Sequence, residues 1–371
     1  MPRKDTTQEP IVGDVSHPDV HGDAARRATD GSSRWSFPGT ARRNGRLCFR
    51  SFRRAAAVAL VFIVPTLWSW PIQEIRALEF VVTSDHHSGY NESQKTVWQA
   101  IAPHQGAFTM TAGDVGSADG IRKVIDECVG VTYPWYVAVG NHDVRSDRIA
   151  AIRALNPGGK SLPNIINRGP PNCEETIYSF RYENCHFVIL NQYYDGKSDI
   201  GYKVGDADGK AYVCDALYSW LEADLDAARA DPQVQHIFVT AHEPLYYVTD
   251  RDSPLDVNLT NEYDLGRDPK NRDRFWNLLK QKGVVAFFCG HHHQFKIHRM
   301  DENDVWQALS AWGRGCDPPN ASDRWKHVKC TFVKVTVNGG TVTYEAYRGP
   351  RYGGPCDVPY TMEDRGTLIA R

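Results

Sequence analysis

The sequence predicts an α/β domain on two observations. Short runs rich in β-branched and aromatic residues recur from Leu78 onward, and the intervals between the early runs carry apolar residues at helical spacing. A third observation bounds its size. The chain has 371 residues, 41% hydrophobic and 24% charged, which supplies apolar material for one large or two ordinary domains and excludes wholesale disorder, collagen and coiled coil.

Strands are expected at 78–84, 107–111, 136–139, 177–182, 186–191, 236–240, 284–289, 331–337 and 341–347. Helices are expected at 93–101, 121–129, 214–229 and 273–282, the third carrying Leu217, Leu221 and Leu225 four residues apart. The polar stretches 195–210 and 243–271 read as long loops, and no internal repeat is present. The expected organisation is a disordered basic arm over 1–54, a signal peptide or membrane anchor over 55–77, one domain over 78–348 and a Gly/Pro-containing tail over 349–371.

The N-terminal reading rests on charge. Residues 1–54 hold 11 basic and 6 acidic side chains, and Arg53-Arg54 is followed by eighteen uncharged residues, 55–72. A run of that length lies between a signal-peptide core and a spanning helix of about 20 residues, with arginines on the side that stays inside. Everything after it is expected to be extracytoplasmic, either secreted or held at a membrane through 55–72. Of the chain's 43 basic and 45 acidic residues, 12 and 7 precede Leu78, so 31 and 38 remain and the rest of the chain carries −7. Such a balance gives no electrostatic footprint for long nucleic acid.

Nine cysteines are present, none in a Cys-x-x-Cys pair, which argues against a thiolate zinc ribbon. Disulfides among Cys173, Cys316, Cys330 and Cys356 and free buried thiols are both compatible with the spacing. The sequons at Asn91, Asn258 and Asn320 matter only in a glycosylating source.

The strand ends are the informative feature. Five apolar runs end in Asp85-His86-His87, Gly113-Asp114, Gly140-Asn141-His142-Asp143, His242-Glu243 and Gly290-His291-His292-His293. Imidazole and carboxylate donors without thiolate suit Zn, Mn and Fe. Glycine before the donor lets the chain turn sharply and lets an ion approach. One residue skipped between Asp85 and His87, and between His291 and His293, puts both members of each pair on one face of an extended segment. His86 and His292 are then expected to face elsewhere.

This order of motifs resembles the calcineurin-like metallophosphoesterases, including purple acid phosphatases and bacterial phosphodiesterases, over about residues 78–300. The resemblance implies a four-layer α/β/β/α sandwich with the metal site at the strand C-terminal ends. By matching motif it implies a first ion on Asp85, His87 and His293, a second on Asn141, His242 and His291, and Asp114 shared between them. His142 would face the substrate, with Asp143 orienting it. The cofactors implied are two divalent or trivalent ions, Mn, Fe or Zn. The reaction implied is hydrolysis of a small phosphodiester or phosphomonoester by a metal-bridging hydroxide, with His142 as proton donor.

Departures narrow the branch. Purple acid phosphatases carry a tyrosine three residues beyond the Gly-Asp aspartate, where this chain has Ser117, so a colourless protein is expected. Gly113-Asp114 lacks the spacing and arginine of Ser/Thr protein phosphatases. Tyr246, Tyr247 and Tyr263 could stack on a substrate edge or pack their loop down, and Trp312 and Arg314 could bind phosphate or form a turn. A metallohydrolase acting on a non-phosphorus ester, and a catalytically silent binding scaffold on the same fold, are the alternatives.

Overall fold

The computed structural model describes residues 77–204, 208–246, 265–299, 304–310, 312–316, 328–351 and 353–369. The expected arm and apolar segment, together with Tyr247, Tyr263, Asn258 and Asn320, lie outside them. Among the described residues no helix is long and apolar enough to cross a membrane.

The first half alternates strand and helix: β1 (Leu78–Thr83), α1 (Glu92–Ile101), β2 (Thr109–Thr111), α2 (Ala118–Cys128), β3 (Trp135–Val137) and α3 (Ser146–Leu155). An edge hairpin and its continuation come next as β4 (Ile165–Arg168), β5 (Tyr178–Tyr182) and β6 (Cys185–Ile189), then a short hairpin, β7 (Lys203–Val204) and β8 (Asp208–Gly209). The second half runs α4 (Asp215–Ala230), β9 (His236–Thr240), α5 (Pro269–Gln281), β10 (Ala286–Cys289), β11 (Phe295–His298), β12 (Trp306–Ser310), β13 (Lys329–Asn338), β14 (Thr341–Arg351) and β15 (Thr361–Ile369).

These strands form a six-stranded sheet, β15-β14-β13-β1-β2-β3, and a seven-stranded sheet, β11-β12-β10-β9-β6-β5-β4. In the first, β1, β2 and β3 are parallel. In the second, β6, β9, β10 and β12 are parallel. Strands buried on both faces must be apolar on both, and the register shows how the sides are divided. Phe80, Tyr136, Phe187, Phe238 and Phe288 meet in the cluster between the sheets, where the ring of Phe80 lies 5.1 Å from Phe187, edge to face. The alternate residues turn outward. Val81, Trp135 and Val137 join Trp98 and Ile121 of α1 and α2, while Ile237, Val239 and Phe287 join Leu217, Leu221 and Phe275 of α4 and α5. The four layers of an α/β/β/α sandwich result from that alternation.

Three helices start where the sequence supplies a cap. The side chains of Asn91, Ser117 and Asp268 accept from the N–H groups of Gln94, of Gly120, and of Lys270 and Asn271. Four stretches differ from expectation. The segment 349–371, expected as a tail, carries the end of β14 and the whole of β15, which extends the first sheet as its edge strand. Helix α3, β4 and the β7–β8 hairpin also form where none was expected.

Candidate metal centre

All five motifs lie just past the C-terminal ends of β1, β2 and β3 of the first sheet and β9 and β10 of the second. Strand β1 stops at Thr83, before Asp85, so the period-2 argument for Asp85 and His87 does not hold. Convergence comes instead from left-handed backbone at Asp85 (φ 53°), His87 (φ 46°), Asp114 (φ 53°), His291 (φ 73°) and His293 (φ 55°). Each non-glycine residue held there costs about 1–2 kcal/mol, and such strain gathers where the surrounding structure enforces it for function. Main-chain bonds hold two of these residues. Asp85 N–H donates to Gly113 O at 3.0 Å and His87 N–H to Asp114 O at 2.9 Å.

The glycines are required by space. A Cβ on Gly140 would sit 2.1 Å from Asp114 Oδ1, and one on Gly290 would sit 2.3 Å from Asp85 Oδ2.

The seven expected residues come together as two overlapping donor sets. In one, His87 Nε2 lies 3.0 Å from His293 Nε2, 3.7 Å from Asp85 Oδ1 and 3.5 Å from Asp114 Oδ2. His293 Nε2 is 3.5 Å from Asp85 Oδ1. In the other, Asn141 Oδ1 lies 3.0 Å from both His242 Nε2 and His291 Nδ1, and His242 Nε2 is 3.2 Å from Asp114 Oδ2. Asp114 Oδ2 therefore borders both sets. His242 Nδ1 donates to Ala112 O at 2.7 Å, which turns Nε2 toward the cluster.

Donors bound to one ion at about 2.0–2.2 Å stand roughly 3.0 Å apart at right angles and roughly 3.4 Å apart at the tetrahedral angle. The observed spacings span that range, and the donor set is nitrogen and oxygen throughout, so these residues fit two borderline ions.

Charge points the same way. Burial works to raise the carboxyls of Asp85 and Asp114, yet the facing histidines hold both below the ordinary carboxylate range. Burial opposes a proton on His87 and His242, but Asp114 raises both, His242 to about 10. Burial leaves His293 at about 4. On protein charges alone, the two aspartates draw cationic partners into a buried site.

His142 stands at the rim, its side chain 37% exposed, with Nε2 4.0 Å from Asp114 Oδ2 and its ring 5.1 Å from His87. Its N–H donates to Asp114 Oδ1 at 2.8 Å, and Arg148 Nη1 donates to its carbonyl at 3.1 Å.

Asp143 does not fill the role expected of it. Its carboxylate accepts from the N–H groups of Val115 and Gly116 at 3.2 Å and of Gly140 at 3.0 Å. It stitches the Asp114 loop to the Asn141 loop rather than facing the His142 ring, and burial with the Asp114 charge pushes it up to about 6.

His86 turns away as expected, stacking on Trp98 at 5.8 Å and bonding Gln94 at 2.9 Å. His292 stays nearer the cluster, its ring 5.4 Å from His291. Trp312 is buried with its ring 4.1 Å from His293, a wall behind the donors, and Arg314 lies 5.8 Å over that indole. Tyr246 sits edge-on to Trp276 at 5.3 Å under Arg272, packing its loop down. Ser117, where purple acid phosphatases have tyrosine, is spent as the cap of α2. Sequence reasoning did not anticipate the carbonyl of Ala112 or the side chain of Gln192, whose Oε1 accepts from His242 N–H at 3.1 Å, because both are remote from His242 in sequence, nor Gln94 beside His86, because no periodicity marks it.

The family model for calcineurin-like phosphoesterases matches residues 78–295, and the chain belongs to that family. It is similar to human (Homo sapiens) tartrate-resistant acid phosphatase type 5, 26% identical over 218 residues that cover 58% of each chain. It is also 26% identical over 200 residues to purple acid phosphatase 21 of Arabidopsis thaliana, covering 50% of this chain and 37% of that one. The chain thus spans little more than half the length of the human relative. Among solved structures it shares the fold of purple acid phosphatase PPD1 from yellow lupin (Lupinus luteus) seeds, with TM-score 0.50 and 15% identity, covering 78% of this chain and 53% of that one.

Proposed function

We propose that this chain hydrolyses small phosphoesters at a dinuclear metal centre. The observation that carries the reading is the pair of donor sets that meet at Asp114 Oδ2. Asp85, His87 and His293 would hold one ion of Mn, Fe or Zn, Asn141, His242 and His291 the other, and Asp114 both. Bound ions would supply Lewis acidity toward phosphoryl oxygens and an activated water at neutral pH.

The chain's own residues do the rest. The neutral amide of Asn141 adds a donor without adding negative charge. His142, exposed at the rim and fixed at both its N–H and its carbonyl, donates a proton to the departing oxygen. Asp143 holds the Asp114 and Asn141 loops in register and does not touch the reacting atoms.

The test is a panel of metal-stripped protein reconstituted with Mn, Zn or Fe and offered p-nitrophenyl phosphate, bis-p-nitrophenyl phosphate and a non-phosphorus ester. Phosphoester turnover that disappears in Asp114→Asn and falls by about 10²–10⁴ in His142→Ala is expected. Full activity in Asp114→Asn, or turnover of the carboxylic ester alone, would refute the reading. Iron-loaded protein should lack the colour of a phenolate ligand, since Ser117 cannot supply one.

We further propose that the domain acts outside the cytoplasm. Arg53-Arg54 before eighteen uncharged residues supports this, as does the disulfide Cys316–Cys356, a bond that persists in oxidising compartments. Fractionation of the native source that recovered the whole protein in the cytoplasm would contradict it.

A further inference from the structure

Resting on the dinuclear reading, we propose that Gln192 is a positioning residue for the half of the site built on Asn141, His242 and His291, and that it acts through His242. Ladder pairing between β6 and β9 runs out at Leu190, whose N–H donates to Thr240 O at 2.9 Å. His242 stands two residues beyond that last bond.

There the side chain of Gln192 takes over from the main chain. Its Oε1 accepts from the N–H of His242 at 3.1 Å and of Glu243 at 2.7 Å, and its Nε2 donates to Glu243 O at 3.1 Å. It is fully buried, so these three bonds have no water to replace them. The amide behaves as one more residue of strand, extending the sheet to the donor. The imidazole is fixed separately by Ala112 O. Backbone and ring tethers together aim Nε2 at Asn141 and Asp114.

The other half is framed differently. His242 also keeps a main-chain bond, its carbonyl accepting from Gly290 N–H at 2.9 Å, but its own N–H depends on Gln192, whereas the N–H groups of Asp85 and His87 donate to the main chain, to Gly113 O and Asp114 O. A change at Gln192 should therefore act on one ion and spare the other.

A second glutamine provides the control. Gln307 Oε1 accepts from the N–H of Leu245 at 2.9 Å and of Tyr246 at 3.1 Å, and its Nε2 donates to Tyr246 O at 2.7 Å. It clamps the same loop by the same chemistry, but three residues past His242.

The test is calorimetric titration of the metal-stripped full chain with Mn²⁺, counting ions and their affinities. Wild type should take up two. Gln192→Met should bind one ion with unchanged affinity and the other roughly ten- to a hundredfold more weakly, the usual effect of removing a group that orients a ligand. Gln192→Glu retains a side-chain oxygen acceptor for both N–H groups and should keep both ions. Gln307→Met should unfold at lower urea yet bind both ions as wild type does. Equal weakening of both ions in Gln192→Met, undiminished binding of both, loss of the second ion in Gln192→Glu, or an equal loss in Gln307→Met would each overturn the proposal. Should Gln192→Met fail to fold, the glutamate and Gln307 variants still decide. A wild-type chain that binds a single ion would overturn the dinuclear reading itself, which keeps the two failures distinct.

Discussion

Single atoms decide much of this site. The hydrogen of Gly140 is one, since a methyl group there would lie 2.1 Å from Asp114 Oδ1 and 2.2 Å from its backbone nitrogen. Gly140→Ala should lower stability by about 1–3 kcal/mol through overpacking and abolish tight uptake of both ions, because Asp114 borders both donor sets. Urea unfolding and metal titration on the same sample check the two effects. His298 in β11 sets a pH dependence of its own. Burial, with help from Lys296, pushes it down to about 4, below the value near 6.5 of an unfolded chain. Between those values the unfolded chain binds the extra proton, so stability is full above about pH 6.5 and falls as pH drops toward 4. His298→Gln should flatten that part of the acid limb, seen as a smaller difference between urea midpoints at about pH 7 and about pH 4.5.

Among the secondary-structure elements, α4 is locked to the second sheet by polarity as well as by leucines. Asp224 accepts from Ser179 Oγ at 2.7 Å and Asn167 Nδ2 at 2.8 Å, and pairs with His186 Nε2 at 2.7 Å, all under the helix. Asp224→Ala strands those donors at about 1–3 kcal/mol for each buried group. Urea unfolding should show the loss while turnover per folded molecule stays unchanged, since none of the four residues touches the donor cluster. The elements also show why some of the fold was legible and some was not. Strands such as β9 and β10 are apolar on both faces and announce themselves. Strand β15, Thr-Met-Glu-Asp-Arg-Gly-Thr-Leu-Ile, buries only Leu368 fully, and β4 is exposed along most of its length, so neither carries the alternation that marks a half-buried strand. Helix α3 fully buries only Ile149 and Ile152, too few for a clear stripe. The donor residues were legible because glycine, aspartate and histidine recur at strand ends. The left-handed turns that make them converge were not, since local sequence does not show which Asp or His the tertiary structure will force to positive φ.

For the whole molecule, burial and register place the aromatic seam between the sheets and the donors at its upper edge. Asp85, Asp114 and Asn141 come after strands of the first sheet; His242, His291 and His293 come after strands of the second. Metal removal should therefore be felt globally. An ion held at a hundred times its dissociation constant stabilises the folded state by about 2.7 kcal/mol, so treatment with a chelator should lower the unfolding midpoint, and re-addition should restore it. No change in midpoint would mean that the donors do not retain metal at that concentration.

That division of donors also dictates an order of events during maturation. On the proposed ligand assignment neither half of the polypeptide presents a complete coordination sphere alone, so cation capture would follow docking of the two β-layers. Refolding under EDTA should consequently regain the native circular dichroism, with catalytic competence arriving only when ions are returned.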